Sequence, residues 1–274
     1  MGYECLLAGL PDLKANGEAP MSMDALLVLL DETLAEKDKP LLSLLRMKSD
    51  DALITEQMEQ YDDTIIGQPD WWEDARKHLS ETDLRTQLLY EHGLHCRNRF
   101  VRAWFAFNQD MCNVLVATIC RKHGFDVRKS VVGHNQVAEI LRKNLPAKDF
   151  GLGGVMDNLP EVMSLVEVEN LMEREKRMDA LRFAWLEEKT LFVDFSIENV
   201  LAYYLQAEML NRWSLLTVEQ GEQVFRTLVA DMKQGIKLDY KTAMLSDRAK
   251  ALKDRLTTER PHFVLSDRYR LDSE

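Results

Sequence analysis

Glycine and proline are scarce: 12 Gly and 7 Pro in 274 residues. Turn-dense β folds and α/β folds with phosphate loops consume both, so their scarcity argues against those classes. The abundant Leu, Met, Ala, Glu, Lys and Arg are strong helix formers. Cysteine is also sparse, with Cys5, Cys96, Cys112 and Cys120 and no CxxC pair. That excludes a disulfide framework and fits thiols used as small hydrophobes in a reducing cytoplasm. No apolar run approaches the ~18 residues needed to cross a bilayer. The opening lacks a basic stretch, its apolar run stops at Pro11, and Leu6 stands where a myristoylation motif needs Ser or Thr, so neither a signal peptide nor that anchor is expected. Positive charge is in deficit too. A formal net charge of −11 repels phosphate backbones. The best basic group, Arg97, Arg99 and Arg102 with Arg121, Lys122, Arg128 and Lys129, spreads around a helix without interleaved aromatics, and nucleic acid is not expected as a partner.

What remains reads as an all-α protein of repeated helical bundles. Its expected segments are an N-terminal helical part with a polar linker (1–78), a long-helix bundle (79–150) and a C-terminal bundle with a loose tail (151–274). Ser22 or Asp24 caps a helix that stops at Lys39-Pro40, and a short helix follows from Leu41 to Arg46. Residues 49–70 read as linker or loose helix. From Ser80, with Asp83 completing a capping box, apolar spacing predicts one unbroken helix over about 80–123, ended by Gly124. A helix follows around Asn135–Asn144. Gly151-Leu152-Gly153-Gly154 breaks the chain; it lacks both the P-loop ending and the dinucleotide-binding spacing. Asp157 or Asn158 with Pro160 then starts helices over about 160–175, 177–192, 197–216, 218–234 and 240–257.

Two segments about one hundred residues apart share one pattern. Phe105-Ala106-Phe107-Asn108-Gln109-Asp110-Met111-Cys112-Asn113 and Tyr203-Tyr204-Leu205-Gln206-Ala207-Glu208-Met209-Leu210-Asn211 each run from aromatics to a carboxylate, Met, one residue and Asn. Gly124 and Gly221 follow some ten residues on. Such an echo suggests helical units used more than once. Asp110 with Asn113, and Glu208 with Asn211, are three apart and so share a helix face. They read as polar groups at the edge of a core, with Arg212 and Arg121 as candidate partners of a buried carboxylate. Trp71-Trp72, in a polar stretch, either pins the linker to the core or anchors a partner, with the pin favoured. The dense charges from Glu167 through Asp179 read mostly as a solvated helix face with i,i+4 support, such as Glu173 with Arg177.

Metal chemistry is weighed and set aside. His92, His95 and Cys96, beside Glu91, could share one helix face, but no second ligand cluster accompanies them. Glu259-Arg260-Pro261-His262 has di-iron spacing but no partner copy. Neither a cofactor nor a catalytic group is expected.

The run Phe195-Ser196-Ile197-Glu198-Asn199-Val200-Leu201-Ala202-Tyr203-Tyr204-Leu205-Gln206-Ala207-Glu208, with Asn211-Arg212, resembles the C-terminal signature of the central-stalk C subunit of the A/V-type ATPases (the d subunit in eukaryotes). The opening Tyr3-Glu4-Cys5-Leu6-Leu7-Ala8-Gly9-Leu10-Pro11-Asp12-Leu13 is similar to the start of an uncharacterised bacterial family whose genes lie beside V-type ATPase genes. The resemblance implies a non-catalytic, all-α subunit at the base of the central stalk. Its partners would be the rotor shaft subunits and the membrane proteolipid ring, and its place the inner face of the cell membrane. Glu208, Asn211 and Arg212 match the signature and are expected to brace the fold, with Asp110 and Asn113 as their echo. The chain departs from that stalk family in being shorter, so a full threefold repeat is not expected. The rival expectations are a helical adaptor unrelated to the ATPase and a metal-using helical enzyme centred on Glu91, His92, His95 and Cys96.

Overall fold

The computed structural model describes residues 2–15, 17–64 and 67–215. Among them are eleven α-helices and no strand: α1 Glu4–Gly9, α2 Met23–Thr33, α3 Lys39–Arg46, α4 Ala52–Asp63, α5 Trp72–His78, α6 Glu81–Leu94, α7 Arg99–His123, α8 Gln136–Lys143, α9 Leu159–Ser164, α10 Leu171–Thr190 and α11 Ile197–Leu215. The fold is all-α, as the composition implied. The expected helices over 218–234 and 240–257, Gly221 and the Glu259–His262 spacing lie outside the described residues.

Most helix starts are written locally. The side chains of Ser22, Asp51, Ser80, Asn98, Asn135 and Asn170 each accept from a backbone N–H in the first turn that follows. Ser80 Oγ also donates to the Asp83 carboxylate, so Asp83 answers the cap through the Ser80 hydroxyl and not through the Ser80 backbone N–H of a capping box. Asn158 precedes α9 with Pro in its first turn, and Gly124 ends α7 at φ +73°. Gly151 and Gly154, at φ +76° and +81°, supply the left-handed conformations of the turn after α8, around a fully buried Leu152.

Four expectations are corrected. The helix over 80–123 is two helices, α6 and α7, separated by His95–Asn98. Asn98 caps the second through Phe100 and Val101 N–H, and the chain turns back so that Gly93 meets Phe105 and Tyr90 meets Cys112. A Cβ on Gly93 would sit 2.0 Å from Phe105 Cγ, so glycine is what lets the two helices close. Residues 49–70 are not loose: α4 buries Ile54 and Met58. Helix α2 stops at Thr33, short of the expected stop at Lys39-Pro40, and Pro40 instead lies in the first turn of α3, where its missing N–H is harmless. The break expected near 176 falls at 168–170, and α10 runs through it without interruption.

Three apolar clusters form the interior. One joins α2 (Leu26, Leu30), α3 (Leu42, Leu45), the start of α7 (Val101, Phe105), α10 (Phe183, Leu186) and α11 (Leu201, Leu205). A second surrounds the later half of α7 (Val114, Leu115, Ile119) with α8 (Leu141), the turn (Phe150, Leu152), α9 (Val162) and Met178. A third packs α4, α5 and α6 around Trp72. Helix α7 serves the first two, so its middle, Asn108 to Asn113, lies where they meet.

Candidate functional site

Asp110 and Asn113 face the connection between α7 and α8. Asn113 clamps it: its Nδ2 donates to Val132 O at 2.7 Å and its Oδ1 accepts from Val132 N–H at 3.0 Å. One buried side chain thereby satisfies both polar groups of a buried residue's backbone, where an unpaired group would cost about 1–3 kcal/mol. Asn135, whose Oδ1 caps α8, donates through Nδ2 to Asp110 Oδ1 (2.7 Å) and Gln109 Oε1 (2.9 Å). Arg142 donates to Val131 O and Gly133 O, and Gly133 N–H donates to Gln87 Oε1. Gly133 stands at φ +85°, and a Cβ there would lie 2.2 Å from Gln109 Nε2, so only glycine fits between these amides. Burial pushes the Asp110 carboxyl up to about 6, against the smaller opposing pull of Asn135.

The tryptophan pair borders this loop. Trp72 is fully buried and meets Tyr61 edge-on at 5.2 Å, while Trp71 lies 5.9 Å from the His134 ring. The pair pins α5 to the core, with Trp72 at the centre of the third apolar cluster.

Glu208, Asn211 and Arg212 do not reproduce this arrangement on α11. Asn113 is buried and clamps a loop; Asn211 is half-buried, and its backbone carbonyl accepts from the Ser214 hydroxyl. Glu208 lies by Tyr204, whose hydroxyl is held well above its ordinary range by burial and then by that carboxylate. The sequence echo is thus not an echo of environment. Nor do the two candidate arginines pair with Asp110. Arg121 donates to Ala147 O and Lys148 O and covers the Phe150 ring at 4.0 Å.

Arg212 reaches Asp179, the centre of a second polar knot. Asp179 Oδ2 accepts from Arg212 and from Trp213 Nε1 (2.8 Å), and Oδ1 accepts from Arg182 at 2.8 Å. Arg182 is 5% exposed and also donates to Asn108 Oδ1 at 2.8 Å, tying α10 to the middle of α7. Burial alone would raise the Asp179 carboxyl, but Arg182 and Arg212 outweigh it and hold it below the ordinary carboxylate value. Cys112, beside this knot, receives Tyr90 Oη–H at 3.6 Å; burial drives its thiol up and leaves it protonated. Sequence reasoning placed Asp179 on a solvated face. The Glu173–Arg177 pair does lie there at 3.0 Å, but Asp179 and Arg182 turn inward with Met178, Phe183 and Leu186. Their i,i+3 spacing between core apolar residues was the available signal.

His92, His95 and Cys96 do not share one helix face, because α6 ends at Leu94. His92 faces Gln57 Oε1 at 2.7 Å and His95 caps the helix. Among the described residues no three His, Cys, Asp or Glu side chains are grouped to hold a metal ion, and no helix is long and apolar enough to cross a membrane.

The family described as "Protein of unknown function (DUF2764)" matches residues 52–236, more than half of the chain, and the chain belongs to it. No curated protein and no solved structure matches.

Proposed function

We propose that this DUF2764 member is a non-catalytic subunit of a V-type ATPase, coupling the central rotor shaft to the membrane proteolipid ring from the cytoplasmic side. The observation that carries this reading is the resemblance of residues 195–212 to the stalk-subunit signature, joined by the similarity of residues 3–13 to a family encoded beside V-type ATPase genes. The geometry is compatible with mechanical work. The signature lies on α11, whose Arg212 is tied through Asp179 and Arg182 to Asn108 on α7. Signature and echo are thereby joined across α10, and a chain of charge-assisted bonds between long helices resists relative sliding. At 1.5 Å per residue α7 alone is about 37 Å long, enough to carry load across the body.

The test is a pull-down of the tagged chain from membranes in mild detergent, with partners identified by mass spectrometry. Recovery of proteolipid-ring and central-shaft subunits is expected, together with loss of shaft–ring association when the chain is deleted. A chain recovered without ATPase subunits, from membranes whose ATPase is intact, would refute the reading and leave a helical adaptor.

A further inference from the structure

Residues 3–13 lie across the body as a strap. Tyr3, Leu6, Leu7 and Leu10 follow i, i+3, i+4, i+7 spacing and, with Leu13, pack half-buried against the first apolar cluster. Glu4, Cys5, Ala8 and Gly9 face water. That is how an amphipathic helix lays one face into an apolar groove. The strap begins where the connection from α2 to α3 meets the start of α11. There Tyr3 Oη donates to Asp38 Oδ2 at 2.6 Å and accepts from Ala35 N–H at 3.2 Å, and Tyr3 N–H donates to Phe195 O at 2.7 Å. At its other end Asp12 lies near Tyr203 of α11.

The strap is held lightly for its length. No residue of α1 is fully buried, and six residues are too few for a helix to persist alone in water. Among the described residues every hydrogen bond between the strap and the body passes through Tyr3. The backbone clasp on Phe195 stands in a wet turn, where Phe195 is 47% and Phe192 91% exposed, so water replaces that bond with little loss. The fit is also incomplete. The Tyr203 hydroxyl is buried without a hydrogen-bond partner, and burial and then the Asp12 charge hold it above its ordinary range.

We propose that the strap is an intramolecular ligand, and that the groove beneath it docks an amphipathic helix of another protein with the same aromatic-x-x-Leu-Leu-x-x-Leu spacing. What the groove takes is read from what fills it: an aromatic whose hydroxyl reaches Asp38, then leucines on one face. The strap opens as a unit while the rest of the chain stays folded, and the incoming helix replaces it. Tethering gives the strap a high effective concentration, so the groove is closed until a competitor arrives. A foreign helix can outcompete it by offering the Tyr203 hydroxyl the acceptor that the strap lacks. The strap of a second copy cannot, because it brings the same contacts without the tether. The inference goes beyond the rotor reading and involves no ATPase subunit, so the two fail independently.

The probe is a fluorescein-labelled peptide of residues 2–15, titrated into the full chain and followed by anisotropy. It should bind the Tyr3→Ala chain about tenfold more tightly than the wild-type chain, because the variant's own strap competes less. Tyr3→Phe, which loses only the hydroxyl, should show a smaller gain in the same direction and decides the matter if Tyr3→Ala does not fold. A peptide carrying Leu6→Asp and Leu7→Asp should not bind. In the wild-type chain the Leu7 amide, bonded to Tyr3 O within the strap, should exchange its hydrogen at least about a hundredfold faster than the Val114 amide in α7. No binding to any of the three chains, equal affinity for wild type and both variants, or binding indifferent to the aspartates would each overturn the proposal. So would a Leu7 amide that exchanges only with global unfolding, or a dimer of the wild-type chain that Leu6→Asp abolishes, which would give the groove to a second copy.

Discussion

Asp110→Asn is expected to stabilise the protein at neutral pH. The wild-type carboxyl is buried against α8, accepts one hydrogen bond from Asn135 and is raised from 3.8 to about 6. Below 3.8 the carboxyl is protonated both folded and unfolded, and its contribution to stability is fully present. As the pH rises through 6 the unfolded chain has already released its proton, while the folded chain must ionise a carboxyl away from water. Stability is therefore lost across that window. A tenfold difference in acid dissociation between folded and unfolded chain corresponds to about 1.4 kcal/mol, and with the remaining exposure of Asp110 allowed for, the loss is on the order of 2 kcal/mol. Asparagine keeps a carbonyl oxygen for Asn135 and removes the ionisation. Thermal unfolding of both proteins at pH 4 and pH 7.5 reads the effect. The two should melt together at pH 4, and the variant should melt higher by roughly 4–8 °C at pH 7.5 for a body of this size. A variant no more stable than wild type at pH 7.5, or stabilised equally at both pH values, would show that Asp110 does not ionise at such a cost and would refute the reasoning.

The two halves of the sequence echo should respond unequally. Asn113→Ala leaves the Val132 N–H and C=O unpaired in the interior and should cost about 2–4 kcal/mol in denaturant unfolding, whereas Asn211→Ala should cost less than about 1 kcal/mol. Equal costs would restore the repeat. Asp179→Asn removes the counter-charge of a buried Arg182 and should destabilise by about 3–5 kcal/mol, while Glu173→Gln on the exposed face should change stability by about 0.5 kcal/mol or less; the ratio from chemical denaturation checks it. Gly93→Ala drives a methyl into the Phe105 ring and should cost about 1–3 kcal/mol, with part of the loss recovered by adding Phe105→Leu. Failure of that rescue would place the strain elsewhere.

The features legible in the sequence are the ones that depend on a few neighbouring residues. Ser22, Ser80 and Asn135 start helices, and Gly124 ends one, through contacts within a single turn, and Pro160 suits a first turn by its fixed backbone, so their residue types announce them. Scarce Gly and Pro, with helical apolar spacing, were enough for the fold class. Asp110 and Asn113 were visible as polar groups at a core edge, but not what they hold, because Val132 and Asn135 approach from the next loop. Other outcomes lay outside any local window. Residues 95–98 can continue a helix or cap a new one, and the choice falls to the burial gained when Phe105 closes over Gly93. Asp179 reads as one more charge in a solvated run until Arg212, 33 residues later, and Asn108, 74 residues before Arg182, arrive to complete its knot. By itself the sequence determined the helical class and several helix starts, since hydrogen bonds within a turn are paid for locally. Only the tertiary structure decided which polar groups are buried and which apolar ones, Phe192 foremost, stay in water, because burial is set by segments that the chain brings together from far apart.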